Sequence, residues 1–234
     1  MAPRAESPGA KPNRLRLPLL ISGALLLLLV GWVLIGKISV WRNRAGEDDL
    51  LRIVNAENPA EEDEEQSFTL VGDTQMVDSI CAAELEAMLD ACREAGNEPL
   101  LYASYRTESD QRELYDERVR AYRLQGFPPE EAEALAARSI APPGCSEHQT
   151  GLAVDILSED CPEPGLRYAE SACFRWLAEH SWEYGFILRY GQEQSEVTGM
   201  DFHPWHFRYV GADAARQIYE LGLTLEEYRE LFYD

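Results

Sequence analysis

The sequence SEHQTGLAVDI, residues 146–156, contains His148 and places Asp155 inside an apolar, partly β-branched run. Such a run predicts a buried strand, and a carboxylate in a buried strand is costly unless it is paired or bound to a metal. A second segment, HPWHFRY at residues 203–209, places His206 in a similarly apolar strand. The two segments therefore predict two imidazoles and one carboxylate within the folded interior.

Two interpretations fit these three side chains. Two histidines and one aspartate from separate segments can form a three-ligand zinc site with one coordination position left open, as in catalytic zinc sites. A buried His–Asp hydrogen bond, or a pair of core histidines with ordinary partners, fits the spacing equally well. The spacing alone leaves both interpretations open.

Further motifs accompany these segments in a fixed order. They are Ser104-Tyr105-Arg106-Thr107, Gln111, Leu114-Tyr115, YGFILRY at residues 184–190, Thr198-Gly199 and residues 204–211. With these motifs the chain resembles, over roughly residues 67–232, the VanY-type D-alanyl-D-alanine carboxypeptidases. These are zinc peptidases that trim the stem peptide of bacterial peptidoglycan, so the resemblance implies a Zn²⁺ cofactor and a stem-peptide substrate.

The resemblance also implies roles for individual residues. The zinc ligands would be His148, Asp155 and His206. Arg106 would contact the substrate near the scissile carbonyl, where it would steady the oxygen that becomes negative. Ser146 would lie in the pocket, and Gln111, from the same set of motifs, is a further candidate for substrate binding.

Arg208 is a candidate for substrate binding for a separate reason. In a strand, alternate residues share a face, so Arg208 is expected on the same face as His206. There it could orient a substrate carboxylate or hold an acid close to the metal ligands. A structural salt bridge is an equally good interpretation.

One position departs from the family pattern. The family usually has Glu-Pro-Trp-His with the Glu as general base, whereas this chain has His203 in that position. Imidazole, with an ordinary pKa of about 6.5, can accept a proton at neutral pH. We therefore expect an active enzyme with His203 as the base. The alternatives are that His203 is a fourth zinc ligand, or that the protein binds its peptide without cutting it.

The spacing of apolar residues predicts an α+β fold, with a small mainly antiparallel sheet, packed helices and one zinc site. The predicted strands are Pro99–Tyr105, Gly151–Leu157, Phe186–Tyr190 and Pro204–Val210. The predicted helices are Val77–Ala95, Thr107–Gln125, one that opens at Pro128-Pro129, Phe174–Tyr184, Asp213–Leu221 and one that starts at the Thr224/Glu227 capping box.

The 234 residues carry a formal net charge of −21, which argues against nucleic acid as a partner. Residues 17–36 carry no charge and are numerous enough to span a bilayer. A cleaved signal peptide is the rival interpretation, but the run is long for one and no small-x-small cleavage site follows it. We therefore expect an uncleaved signal anchor.

The predicted organisation is a cytoplasmic tail at residues 1–16, a transmembrane signal anchor at 17–36, an acidic juxtamembrane linker at 37–66 and a D,D-peptidase-like catalytic domain at 67–234. Basic residues flank the apolar segment on both sides, so the positive-inside rule does not decide its orientation. The acidic linker and the resemblance favour a single-pass protein of the cell membrane with an extracytoplasmic catalytic domain. The sequence leaves the oligomeric state open.

Five cysteines leave at least one unpaired in a monomer. Cys81 and Cys92 fall on one predicted helix and are too far apart to bridge. Cys161 and Cys173 flank a loop with Pro and Gly, and an oxidising exterior would allow a disulfide between them. Cys145 is expected at the rim of the pocket.

We therefore expect a membrane-anchored zinc metallopeptidase that hydrolyses the terminal D-Ala–D-Ala bond of peptidoglycan stem peptides. A zinc-containing module that binds wall peptides without catalysis is the main alternative. A D,D-dipeptidase or endopeptidase of the same fold is another.

Overall fold

Asp155 lies on one of the two central strands of a four-stranded antiparallel sheet in the computed structural model, which describes residues 49–60 and 66–233. The strands are β1 (Phe68–Val71), β2 (Gln75–Asp78), β3 (Pro99–Ala103), β4 (Ala153–Ser158), β5 (Phe186–Leu188) and β6 (His206–Tyr209). The larger sheet has the order β3-β4-β6-β5, and β1 and β2 form a separate antiparallel hairpin. The predicted α+β fold with a small antiparallel sheet is confirmed.

Seven α-helices occur among the described residues. They are α1 (Ala82–Glu94), α2 (Glu108–Leu124), α3 (Pro129–Ser139), α4 (Ala172–His180), α5 (Ser195–Thr198), α6 (Ala212–Leu221) and α7 (Leu225–Phe232). Single 3₁₀ turns cover Glu147–Thr150, Leu166–Glu170 and Ser181–Tyr184.

The main core lies between one face of the larger sheet and helices α1 and α4. Val154, Ile156 and Phe207 are fully buried there together with apolar residues of both helices, including Leu85 and Leu177. Because successive residues of a strand point to opposite faces, the side chains of Asp155 and His206 lie on the other face. The alternation that builds the core therefore also places the polar residues of the site.

A second core cluster includes residues from the predicted linker. Leu51 and Val54 are buried, and Leu51 packs with Ile187, Val210 and Ile218. Residues 49–54 are therefore part of the folded unit, which begins before the domain start predicted at residue 67.

Most predicted elements are present, but several differ from the prediction in their bounds or type. The hairpin of β1 and β2 was not predicted, and its second strand occupies Val77, where a helix was expected. Helix α1 therefore begins only at Ala82. The predicted helix Phe174–Tyr184 ends at His180 and continues as a 3₁₀ turn. Thr107 caps the start of α2, and the predicted Thr224/Glu227 capping box is confirmed.

The predicted membrane anchor, residues 17–36, lies outside the described residues, as do the tail at 1–16 and the acidic run at 61–65. Within the ranges that the structure does describe, every helix is too short or too polar to cross a bilayer.

The predicted Cys161–Cys173 disulfide is wrong in this structure, where all five cysteines are free. Helix α4 directs Cys173 into the core, where its Sγ lies 3.8 Å from Sγ of Cys92 on α1. Cys161 stays half-buried at the end of β4, where its backbone bridges to Ser158. The intervening loop with Pro and Gly suggested the pairing, but α4 points Cys173 toward Cys92 instead.

Candidate active site and metal centre

His148, Asp155 and His206 converge on the face of the sheet opposite the main core. His206 Nδ1 lies 2.9 Å from Asp155 Oδ1, and His148 Nε2 lies 3.3 Å from Asp155 Oδ2. One donor atom from each of the three residues lies within 4.8 Å of the other two, and all three side chains are buried. The structure thus brings together the three residues that the sequence predicted as zinc ligands.

Strand pairing and a glycine turn produce this convergence. Asp155 on β4 pairs directly with His206 on β6. His148 lies on the 3₁₀ turn just before β4, which Ser146 opens with a capping box and Gly151 closes. Gly151 has φ +68°, and a Cβ there would lie 2.8 Å from the backbone nitrogen of Asp78. Only glycine combines this conformation with such a close approach.

Hydrogen bonds fix which imidazole nitrogen faces the centre. His148 Nδ1 donates to the carbonyl oxygen of Ser104 at 2.7 Å, which leaves Nε2 free to bind a metal. His206 Nε2 donates to Glu147 Oε2 at 3.3 Å, which leaves Nδ1 on the side of Asp155. Imidazole nitrogens and a carboxylate oxygen are ligand types that zinc prefers, and donor atoms within 4.8 Å of one another can share a single ion.

The electrostatics of the three residues suit a cation. Burial raises the pKa of Asp155, but the charges of the two histidines and their hydrogen bonds outweigh it and hold the pKa well below its usual range. Burial also lowers the pKa of His148. Burial would lower the pKa of His206 too, but its hydrogen bonds to Asp155 and Glu147 raise it. A metal cation must therefore compete with a proton for His206 Nδ1.

The three residues form the floor of a cavity of about 210 Å³. The predicted residues Ser146, Gln111 and Arg106 line it, and His203 lies in its wall. Arg106 Nη1 donates to Gln111 Oε1 at 2.8 Å, and Gln111 Nε2 in turn donates to the carbonyl oxygen of Ala141 at 2.6 Å. Gln111 therefore holds the guanidinium of Arg106 beside the metal ligands, 3.9 Å from Asp155 Oδ2.

The wall of the cavity holds His203 in a fixed orientation. Its ring stacks on Trp205, with the centroids 4.9 Å apart, and meets Tyr190 edge-on. Burial is the main cause that lowers the pKa of His203 to about 4. Among the described residues, the donor atoms close enough together to hold a metal belong to His148, Asp155 and His206, and His203 is not in that set.

The predicted substrate contact of Arg208 needs correction. Its side chain is fully buried behind the metal ligands and does not line the cavity. Arg208 Nη1 lies 3.0 Å from Glu147 Oε1, and Nη2 donates to the carbonyl oxygens of Leu50 and Arg52. Arg208 lies on the same face of the strand as His206, as predicted. At Arg208, however, other parts of the protein cover this face.

Glu147 is the important residue that the sequence analysis missed. It lies beneath His206 and contacts both Arg189 and Arg208. A signal was available, because each arginine lies in an otherwise apolar strand segment and a buried guanidinium needs a buried acid. The two arginines therefore predict a buried acidic side chain, but they do not identify which residue supplies it.

An open cavity lined by two imidazoles and one carboxylate has the donor set of a metal centre with a coordination position left open. Comparison with known proteins identifies the family. The VanY model, described as D-alanyl-D-alanine carboxypeptidase, matches residues 74–212, more than half of the chain. A D-alanyl-D-alanine carboxypeptidase of Enterococcus faecalis is 39% identical over 178 residues, which cover 76% of this chain and 65% of that protein. The chain thus spans slightly less than two thirds of this curated relative.

Two solved structures share the fold. One is a mutant of the vancomycin-resistance D,D-pentapeptidase VanY from a VanB-type cassette in complex with Zn(II), with a TM-score of 0.70 and 38% identity. The other is VanYB in complex with D-alanine-D-alanine, with a TM-score of 0.72 and 38% identity. The matches cover 77% and 78% of this chain and 98% of each solved chain. The chain therefore belongs to the VanY family of D-alanyl-D-alanine carboxypeptidases, whose cofactor is zinc.

Proposed function

We propose that this protein is a zinc D,D-carboxypeptidase that removes the terminal D-alanine from peptidoglycan stem peptides ending in D-Ala–D-Ala. The observation that carries the proposal is the convergence of His148, Asp155 and His206 at the floor of an open cavity, with Arg106 beside them. The complex of the related VanYB with D-alanine-D-alanine supports the choice of substrate.

In this proposal His148, Asp155 and His206 hold the metal. Zinc bound there supplies a Lewis acid that polarises the scissile carbonyl and lowers the pKa of a water molecule toward about 7. Arg106 offers a fixed positive charge where the carbonyl oxygen becomes negative, and Gln111 holds the guanidinium in place. Ser146, at the edge of the same turn as His148, is placed to hydrogen-bond the peptide.

His203 takes the proton from the attacking water in this proposal. With a pKa of about 4, its imidazole is neutral at pH 7 and has a free lone pair. This basicity is close to that of the family's glutamate, whose ordinary pKa is about 4.3. The difference is that imidazole brings no negative charge to the site. The stacking on Trp205 holds the ring in the cavity wall.

The decisive experiment measures D-alanine released from a pentapeptide that ends in D-Ala–D-Ala. The full protein should release D-alanine, lose activity with a chelator and recover it when zinc is added. An Asp155→Asn variant should stay inactive at the same zinc concentration. If no D-alanine is released at any zinc concentration, the carboxypeptidase activity is excluded. Mass spectrometry of the products distinguishes a carboxypeptidase from a dipeptidase or an endopeptidase.

The alternative of a non-catalytic wall-binding module is favoured by one observation, the histidine at position 203. It requires tight binding of the pentapeptide to the zinc-loaded protein without turnover. In that case His203→Glu, which restores the family's usual residue, should create activity.

We also propose that residues 17–36 anchor the protein in the cell membrane with the catalytic domain outside. The support is the run of twenty uncharged residues together with a wall-peptide substrate, which lies outside the cytoplasm. Protease added to spheroplasts should then release the domain that follows residue 46. Cleavage confined to the first sixteen residues would show the opposite orientation. The catalytic domain could then not reach a substrate in the wall.

A further inference from the structure

Three charged side chains, Glu147, Arg189 and Arg208, form a nearly solvent-free cluster directly behind His206. None of the three has a part in the proposed reaction. Burying such groups is expensive unless each has a specific partner, so their arrangement needs an explanation.

We propose that Glu147 is a positioning residue that locks His206 with its Nδ1 toward the metal. This inference rests on the proposed zinc site and adds the residue that orients one of its ligands. Glu147 itself lies behind His206 and does not belong to the three-residue cluster of converging donors.

The two oxygens of Glu147 have different partners. Oε1 accepts from Arg189 Nε at 2.8 Å and lies 3.0 Å from Arg208 Nη1. Oε2 is 3.3 Å from His206 Nε2. An ionised carboxylate can only accept, so the hydrogen must lie on Nε2, and the Nδ1 lone pair is left for the metal. Both guanidinium groups approach the same oxygen, and a buried carboxylate in that position balances their charge.

Two distant parts of the chain hold the arginines in turn. Glu226 on α7 accepts from both terminal nitrogens of Arg189, at 2.9 and 2.5 Å. Arg208 Nη2 donates to the carbonyl oxygens of Leu50 and Arg52. The carboxylate behind His206 is therefore fixed from the segment that precedes the sheet and from the last described helix.

A purely structural role for Glu147 would stabilise the fold without affecting the metal. Glu226→Gln is the matched control, because Glu226 pairs with the same arginine as Glu147 but forms no hydrogen bond or ion pair with His206. Zinc affinity of the full protein is measured by competition with a chromophoric chelator, and thermal unfolding is measured on the metal-free protein. The affinity measurement does not depend on catalysis.

Glu147→Gln should weaken zinc binding by about 10–100-fold, the usual effect of losing the partner of a metal-bound histidine. Glu226→Gln should change zinc affinity by at most about threefold even where it lowers the melting temperature, because the sites are separated by Arg189. Unchanged zinc affinity in Glu147→Gln, or an equal loss in both variants, would overturn the positioning role.

A measurement on the unmodified protein covers the case in which Glu147→Gln does not fold. In ¹⁵N-histidine-labelled zinc-loaded protein, His206 should carry its proton on Nε2 and bind the metal through Nδ1. A proton on Nδ1 with the metal bound through Nε2 would overturn the proposal. Because neither measurement requires turnover, zinc affinity can depend on Glu147 even if D-alanine release is absent, so the two proposals fail separately.

Discussion

Asp155 and His206 stand directly opposite each other on the two central strands, with 2.9 Å between Asp155 Oδ1 and His206 Nδ1. The neighbouring pair on the same strands, Val154 and Phe207, is fully buried in the main core. A shift of one residue in the register would turn the polar pair into that core and the apolar pair out of it. Core packing thus fixes the distance between two of the proposed metal ligands.

Arg106 should affect catalysis without affecting the metal. Arg106→Ala should lower kcat/KM for the pentapeptide by about 10²–10³, the usual effect of removing one group that stabilises a developing oxyanion. Its zinc content should equal that of the unmodified protein. Arg112→Ala is the control, because Arg112 lies on the exposed side of the same segment and pairs with Glu108. Equal activity in both variants would remove Arg106 from the reaction.

Leu51 should contribute to stability although it lies in the segment predicted as linker. Leu51→Ala should cost about 2–5 kcal/mol, because the side chain is fully buried and its removal leaves a cavity. Chemical denaturation of residues 47–234 measures the change in free energy of unfolding. The control is Glu57→Ala, at an exposed position of the same segment. A change below about 0.5 kcal/mol in Leu51→Ala would show that the segment does not belong to the folded unit.

The cysteines should react according to burial. Burial, followed by the charge of Asp78, raises the pKa of the Cys81 thiol to about 12, so almost none of it is thiolate at pH 8. In the native protein a thiol reagent should therefore modify the half-buried Cys161 long before Cys81. Peptide mapping after brief labelling measures the order. A native protein whose Cys161 is unreactive and linked to Cys173 would restore the disulfide that this structure lacks.

Asp155 and His206 stand out in the sequence because a polar residue inside an apolar strand must have a partner, whereas His148 was assigned as a ligand through the resemblance to the family. Glu147 does not stand out, because its neighbours in SEHQT are polar and resemble an exposed loop. Its burial comes only from tertiary packing around Arg189 and Arg208. The hairpin of β1 and β2 was missed for a related reason: Leu70 and Met76 are exposed although the adjacent Val71 and Val77 are buried, so its apolar residues do not alternate along the strands.

The pH dependence of the reaction should reflect the lowered pKa of His203. A general base acts in its neutral form, so the rate is lost as the pH falls through the pKa of the free enzyme. With that pKa at about 4, kcat/KM should stay constant from pH 7 down to about pH 5 and fall below it. Zinc content must be measured at each pH, because the metal also leaves in acid. A fall centred near pH 6.5 with full zinc content would contradict a base whose pKa is about 4.

Substitution of His203 separates a base from a ligand. His203→Ala should keep its zinc and lower kcat by about 10²–10⁴, the usual contribution of a positioned base. His206→Ala should instead lose the metal, because it removes a donor from the three-residue cluster. Zinc content and D-alanine release measured side by side on both variants distinguish the roles. If His203→Ala loses zinc as completely as His206→Ala, His203 is a fourth ligand that closes the coordination position the reaction needs. If it changes neither quantity, the proton goes to another group, and the substitution of histidine for the family's glutamate has no catalytic consequence.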